Sequence, residues 1–226
     1  MSKHLQHDLD LLKKELMAIA ALVEDATNKA LLALVDRRGD LAEQVMRHDD
    51  RINQKEVYVE EECLKTLALH QPVAADLRFI ITVLKVNNDL ERMGDHAVNI
   101  AERAAYLATR DPLDVQLDFP TMAENIRTML HDSLDALTRM DTRLARAVLT
   151  MDDKVDETHK NMILTLQELM QKDPNTIERA VHLLSASRHL ERMADLATNI
   201  AEDVVYMVEG ELIRHRLEHV APETTK

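Results

Sequence analysis

Glu91, Asp95, Asn99 and Glu102 recur one hundred residues later as Glu191, Asp195, Asn199 and Glu202, inside two stretches, ERMGDHAVNIAE and ERMADLATNIAE, that share nine of twelve positions. On a helix at about 100° per residue, each set falls within an arc of about 80°, so each copy draws a line of oxygen donors along one helix. Packing alone would preserve only apolar spacing. Acids and amides kept at the same offsets point to shared chemistry or a shared contact surface. Asp49 with Asn53, and Asp152 with Asp156, stand at i,i+4 spacing and correspond at an offset of 103, which places a second oxygen pair on a neighbouring helix of each copy. Four donors can converge per site. Carboxylates four apart on a helix repel by about 0.2 to 0.5 kcal/mol, so clustering two such pairs calls for a cation or basic side chains. Oxygen-only ligation suits Mg, Ca, Mn or iron in a hard site.

The competing explanation is that Arg92, Arg103, Arg188 and Arg192 neutralise these acids and that the repeat records only the duplication of a stable helix. Among the eleven histidines, His96, His159 and His189 lie near the stripes, but none is duplicated in the other half, and they are expected at surface or boundary positions. No Glu is followed three residues later by His, which removes the ferritin-like oxidase signature, and no HExxH is present. Gly94 interrupts a helix interior where its counterpart is Ala194. Small size is the common property, and it permits close approach of a neighbouring helix without any ligand.

Other chemistries are excluded by composition. Three glycines cannot write a phosphate-cradling loop or a dinucleotide fingerprint. Cys63 is the only cysteine, so it forms no internal disulfide and is expected to pack between helices. With 28 basic against 41 acidic residues, the net charge of −13 repels phosphate backbones and anionic membranes. Cations and basic partner surfaces fit better. The opening MSKHLQHDLD lacks the apolar run of a signal peptide, and no stretch reaches eighteen apolar residues, so a cytoplasmic location is expected.

The elements that position the stripes are helices throughout. Five aromatics and abundant Ala, Leu, Glu, Asp, Lys and Arg predict an all-α protein. Leu5, Leu9, Leu12, Leu16, Ile19, Val23, Ala26, Ala30 and Ala33 alternate steps of four and three, the seam of a first helix reaching about Asp36. Asp40 is expected to cap a second helix, with Leu41, Val45, Ile52, Val59 and Cys63 on its seam, which Pro72 ends. The third runs to about Thr109. Asp111-Pro112 and Phe119-Pro120 bracket a linker, after which the pattern starts over. Met122, Ile126, Met129, Ser133, Leu137 and Met140 mark a fourth helix, and Asp141 or Thr142 caps a fifth whose seam runs from Leu144 to Met162. Asp173-Pro174 precedes the sixth, which Gly210 ends. The expected organisation is two tandem three-helix bundles, residues 1–110 and 120–211, with a tail over 212–226.

With QPVAADLR at Gln71 to Arg78, DLERMGDHAVNIAE from Asp89, HLERMADLATNIAE from His189, and the DDRIN and DDKVD segments, the chain resembles the PhoU family along its whole length. That resemblance implies two three-helix bundles whose ExxxD motifs bind metal ions such as iron, manganese, zinc or magnesium, sometimes as clusters. It further implies a cytoplasmic, non-enzymatic negative regulator of the phosphate-starvation response. Such a protein restrains phosphate uptake and couples a phosphate ABC transporter, through its ATPase, to a membrane sensor histidine kinase. Carried over, the motif positions are Glu91, Asp95, Glu191 and Asp195; Asp49, Asn53, Asp152 and Asp156 follow from helix geometry. Asn53 stands where the second copy has Asp156, so the first site is expected to carry less charge. QPVAADLR has no second copy, which makes Asp76 and Arg78 candidates for a partner contact. The length of the helices favours a homodimer. Two alternatives stay open: a metal-free adaptor whose acids bind basic partner surfaces, and a hydrolase using metal-bound water, which lacks a general base in the sequence.

Overall fold

In the computed structural model, residues 3–213 are described. The first bundle comprises α1 (Lys3–Val35), α2 (Gly39–His70) and α3 (Ala74–Ala108). The second comprises α4 (Phe119–Arg139), α5 (Thr142–Leu149), α6 (Asp152–Lys172) and α7 (Ile177–Glu209), with a 3-10 turn at Pro174–Thr176 before α7. No strand occurs among the described residues, and no helix there is long and apolar enough to cross a membrane. The expected tail lies, beyond Ile213, outside the described residues.

The apolar seams do what their spacing demands except at Met140, which lies past the end of α4 at φ 56 and is 48% exposed. Leu12, Ile19 and Val23 of α1, Val59 and Cys63 of α2, and Met122, Ile126 and Met129 of α4 are fully buried. Burial pushes the Cys63 thiol up to about 12, which makes it an inert packing group. Chain reversals are fixed by side chains. Arg37, at φ 56, donates to the carbonyls of Leu107 and Arg110, tying the first turn to the end of α3. Asp141 accepts from the backbone N–H groups of Arg143 and Leu144 at 2.9 and 3.1 Å, capping α5. Gly210, at φ 75, ends α7 with its N–H on the Tyr206 carbonyl. Asp40 does not cap α2: it lies in the first helical turn and is held by the Arg38 guanidinium at 2.7 Å.

The expected fifth helix is broken. Thr150 and Met151 place their N–H groups on the carbonyls of Ala147 and Val148, three residues back, and the Thr150 hydroxyl donates to the Ala147 carbonyl at 2.8 Å. These tighter bonds replace the regular helical ladder between α5 and α6. Because α5 has only eight residues, its cap matters. Asp141→Ala is expected to cost about 1 kcal/mol, measured as a shift in the urea midpoint, since two backbone donors lose their acceptor.

The bundles meet where α3 packs antiparallel to α7. Along this seam Lys85 binds Asp203 at 2.9 Å, His96 faces His189, Arg103 donates to Ser185 at 3.2 Å, and Tyr106 stacks on His182 with ring centroids 3.8 Å apart. The 100-residue offset carries Lys85 onto Ser185 and Arg103 onto Asp203, so the seam is a pseudo-twofold pairing. Its centre falls at Met93 and Gly94 against Met193 and Ala194, all buried. Both acidic stripes therefore flank one point at the middle of the molecule.

Candidate metal centres

Each stripe faces the preceding long helix of its own bundle. In the first half the Asp49 carboxylate accepts from the Asn53 amide at 3.0 Å on α2, and Glu91 and Asp95 approach from α3. In the second, Asp152 and Asp156 of α6 face Glu191 and Asp195 of α7. The close crossing that permits this rests on paired side-chain sizes. A Cβ on Gly94 would lie 3.1 Å from Ile52 Cδ1 and 3.2 Å from its Cγ2. The corresponding pair in the second half is Ala194 with Val155. One methyl has moved from α2 to the stripe helix, and the total volume is conserved.

The electrostatics are those of crowded acids whose burial and mutual repulsion outweigh the nearby arginines. Partial burial, then Asp95, Glu56 and Asp49, raises the Glu91 carboxyl above its ordinary range; burial and Asp49 raise Asp95. In the second half burial acts first on Glu191 and Asp195, reinforced by Asp156, and for Asp195 also by Glu191. Asp152 is pushed up to about 6 by burial and then by Asp195, Asp156, Asp153 and Glu191. The arginines act on the stripes only through space: Arg92 draws Glu91 down, Arg192 and Arg188 draw Glu191 down, and Arg192 and Arg92 draw Asp195 down, in each case by less than burial raises it. Arg92 pairs with Asp89 at 3.5 Å and Arg103 with Glu102 at 2.9 Å, while Glu91, Asp95, Glu191 and Asp195 take no salt bridge among the described residues.

Glu56 is a further carboxylate beside the first stripe that the repeat conceals. It lies seven residues after Asp49, adds to the repulsion on Glu91, and its own carboxyl is raised by burial and Glu60. Asn87 holds this part of α2 through a 2.9 Å bond to the Glu56 carbonyl. Its counterpart is His159, held by Ser187 at 3.1 Å, so matching by identity misses it. With Glu56 counted, the first cluster has four carboxylates, Asp49, Glu56, Glu91 and Asp95, and the second has Asp152, Asp156, Glu191 and Asp195. The lower charge expected from Asn53 is thereby offset. Asn99 turns its amide back onto the Asp95 carbonyl at 2.8 Å, and Asn199 is half-buried. His96 and His189 take the boundary positions expected of them, half-buried in the seam and in contact with each other, with Nδ1 atoms 3.2 Å apart.

Asp49 Oδ1, Asn53 Oδ1 and Asp152 Oδ1 are buried with no hydrogen-bond partner. A buried, unpartnered carboxylate oxygen among like charges is costly, and a divalent cation satisfies it. The donors are oxygen atoms in both halves, the chemistry of a hard-metal site. Among the described residues, no three His, Cys, Asp or Glu side chains are placed together so as to hold a metal ion.

Asp152 makes the crowding measurable. An acid with a raised pKa holds its proton when folded and sheds it when unfolded, so its contribution to stability falls as pH rises from about 4 to about 6. His96, driven down to about 4 by burial first, then by His189, Arg192 and Arg92, works oppositely over about 4 to 6.5. In chelator, Asp152→Asn is therefore expected to make stability climb more steeply with pH than wild type across that window. Parallel urea-midpoint profiles would contradict the assignment.

The fold and these clusters define a class: all-helical tandem-repeat proteins with an acidic centre in each repeat. A PhoU domain model matches residues 16–104 and again residues 119–204. The chain belongs to the PhoU domain family. It is 42% identical over 209 residues to the phosphate-specific transport system accessory protein PhoU homolog of Aquifex aeolicus, covering 92% of this chain and 95% of the relative. The Pseudomonas putida homolog of the same description is 38% identical over 216 residues, covering 95% and 84%. The crystal structure of PhoU from Pseudomonas aeruginosa superposes with a TM-score of 0.89 at 39% identity, covering 91% of this chain and 99% of that one. The phosphate transport system regulatory protein PhoU of Streptococcus pneumoniae gives 0.81 at 30% identity, covering 92% and 98%.

Proposed function

We propose that this chain is an accessory regulator of phosphate transport that restrains uptake and the phosphate-starvation response. It acts in the cytoplasm as a non-enzymatic adaptor, and as a homodimer, between the ATPase of a phosphate ABC transporter and a sensor histidine kinase. The relatives' shared description as phosphate-transport accessory proteins supports the role. The observation that carries the mechanism is the pair of four-carboxylate clusters, free of salt bridges and holding buried oxygens without partners.

Asp49, Glu56, Glu91 and Asp95, with the Asn53 carbonyl oxygen, would hold a cation in the first bundle; Asp152, Asp156, Glu191 and Asp195 would hold one in the second. A bound divalent cation such as iron, manganese, zinc or magnesium supplies positive charge that cancels the repulsion. The protein's own part is register: α2 stays locked to α3 and α6 to α7, both through a centre shared with the inter-bundle seam. The surface presented to partners is then fixed.

The test is complementation. In a bacterium lacking its own PhoU-family protein, this chain is expected to restore restrained uptake of radiolabelled phosphate in rich phosphate. Asp95→Ala with Asp195→Ala is expected to fail while still accumulating as folded protein. Full activity of that double variant would favour the metal-free adaptor, and no restoration by wild type would count against the regulatory role.

A further inference from the structure

We infer that the cleft between α1, α3, α4 and α7 at one end of the molecule is a docking site for a partner-protein segment that presents an Asp or Glu carboxylate beside an apolar side chain. The cleft encloses about 420 Å³, a volume suited to a few side chains. Leu9, Phe79 and Met207 line it, with Met140 and Val208 at 48% and 41% exposure. Apolar side chains left in water around a concavity are the signature of a contact surface.

The polar groups set the preference. Arg78 lines the cleft, and its Nε is buried with no hydrogen-bond partner. Nor does its guanidinium make an ion pair among the described residues. A guanidinium left unmatched in a chain of net charge −13 is unusual, because acids are plentiful. The end of α7 passes beside it: a Cβ on Gly210 would lie 3.7 Å from Arg78 Cζ, an ordinary contact. Lys13 adds a second positive charge; among the described residues it donates to the Thr138 carbonyl at 3.2 Å and makes no ion pair. A carboxylate entering here would give the Arg78 guanidinium, which has no ion pair among the described residues, a charge-assisted partner.

Asp10 and Asp76 also line the cleft, and Gln6 donates to Asp10 at 2.9 Å. They disfavour a multiply charged anion such as free phosphate and leave acceptors for the backbone N–H groups of a peptide. One carboxylate set among apolar groups is the match. The wall that bears Asp76 and Arg78 begins at Ala74, whose φ of 51 is strained for a residue with a side chain. It belongs to QPVAADLR, the segment without a second copy, so one end of the pseudo-twofold molecule has the site and the other does not.

The inference rests on the adaptor reading, and its test is independent of the metal centres. The full chain is used to select from a phage-displayed random dodecapeptide library, and the best peptide is then titrated by fluorescence anisotropy. Wild type is expected to enrich an acidic residue next to an apolar one. Arg78→Met, which keeps the packing of the alkyl stem, is expected to weaken that peptide by at least about tenfold and to lose the acid preference. Ala75→Trp, at an exposed position lining the cleft, is expected to block binding, with both variants melting near wild type. The inference is overturned if wild type enriches nothing above bare support, if the selected peptides lack an acid, if both variants bind them as tightly, or if inorganic phosphate displaces them. Failure of uptake complementation with successful selection would remove the phosphate role and leave the docking site.

Discussion

Lys85→Met is expected to destabilise the protein by about 3 kcal/mol. Asp203 is almost fully buried, its side chain 2% exposed, and the Lys85 ammonium reaches it at 2.9 Å from the other bundle while lying 5.3 Å over the Tyr206 ring. Removing the cation leaves a buried carboxylate without that counter-charge, whereas the lysine stem is replaced by a chain of similar volume. Asp203→Asn is expected to cost less, because the amide can still accept from Lys85 and carries no charge into the core. Denaturant unfolding of the two variants decides the matter: equal losses would mean that packing, and not the buried charge, governs this end of the seam.

A second large effect is expected at Gly94. Leu at this position would drive a branched side chain into Ile52, already 3.1 Å from where a Cβ would stand, and overpacking of this kind costs about 3 kcal/mol. Separation of α2 from α3 would also pull Asp49 away from Glu91 and Asp95. Gly94→Ala with Ile52→Val recreates the Ala194 and Val155 pair of the second half and is expected to be neutral or stabilising, because Ala is favoured over Gly in a helix by about 1 kcal/mol. If the matched pair destabilised as much as Leu alone, the volume exchange between the halves would not be the reason for the glycine.

Much of this was legible before any coordinates. Apolar seams in α1, α2 and α4 gave their buried faces because bundle packing obeys the same periodicity as the sequence, and the Asp141 and Gly210 signals act locally, through one or two backbone bonds. The Thr150–Met151 break was not legible, since its tightened bonds depend on which carbonyl each N–H selects and the apolar spacing runs on through it. Asp40 looked like a cap by residue type, yet Arg38 claims its carboxylate. Glu56 was hidden because its repeat partner is His159: the two copies conserve position and contact there, but not residue type. The seam pairs, Lys85 with Asp203 and Tyr106 with His182, lie far apart in sequence, and nothing in either helix alone announces which residue will face which. Asp76 and Arg78 were singled out by the missing second copy; the cleft they share required α1, α4 and α7 to come together.

The central claim, that the crowded carboxylates are cation sites that lock α2 to α3 and α6 to α7, is tested most directly by metal content. Wild type purified without chelator or nickel affinity, and the Asp95→Ala, Asp195→Ala double variant prepared in parallel, would be assayed by inductively coupled plasma mass spectrometry. Wild type is expected to retain iron, manganese, zinc or magnesium in stoichiometric amount, and the variant to lose it. A wild type that is metal-free and takes up none of these ions on titration would contradict the claim.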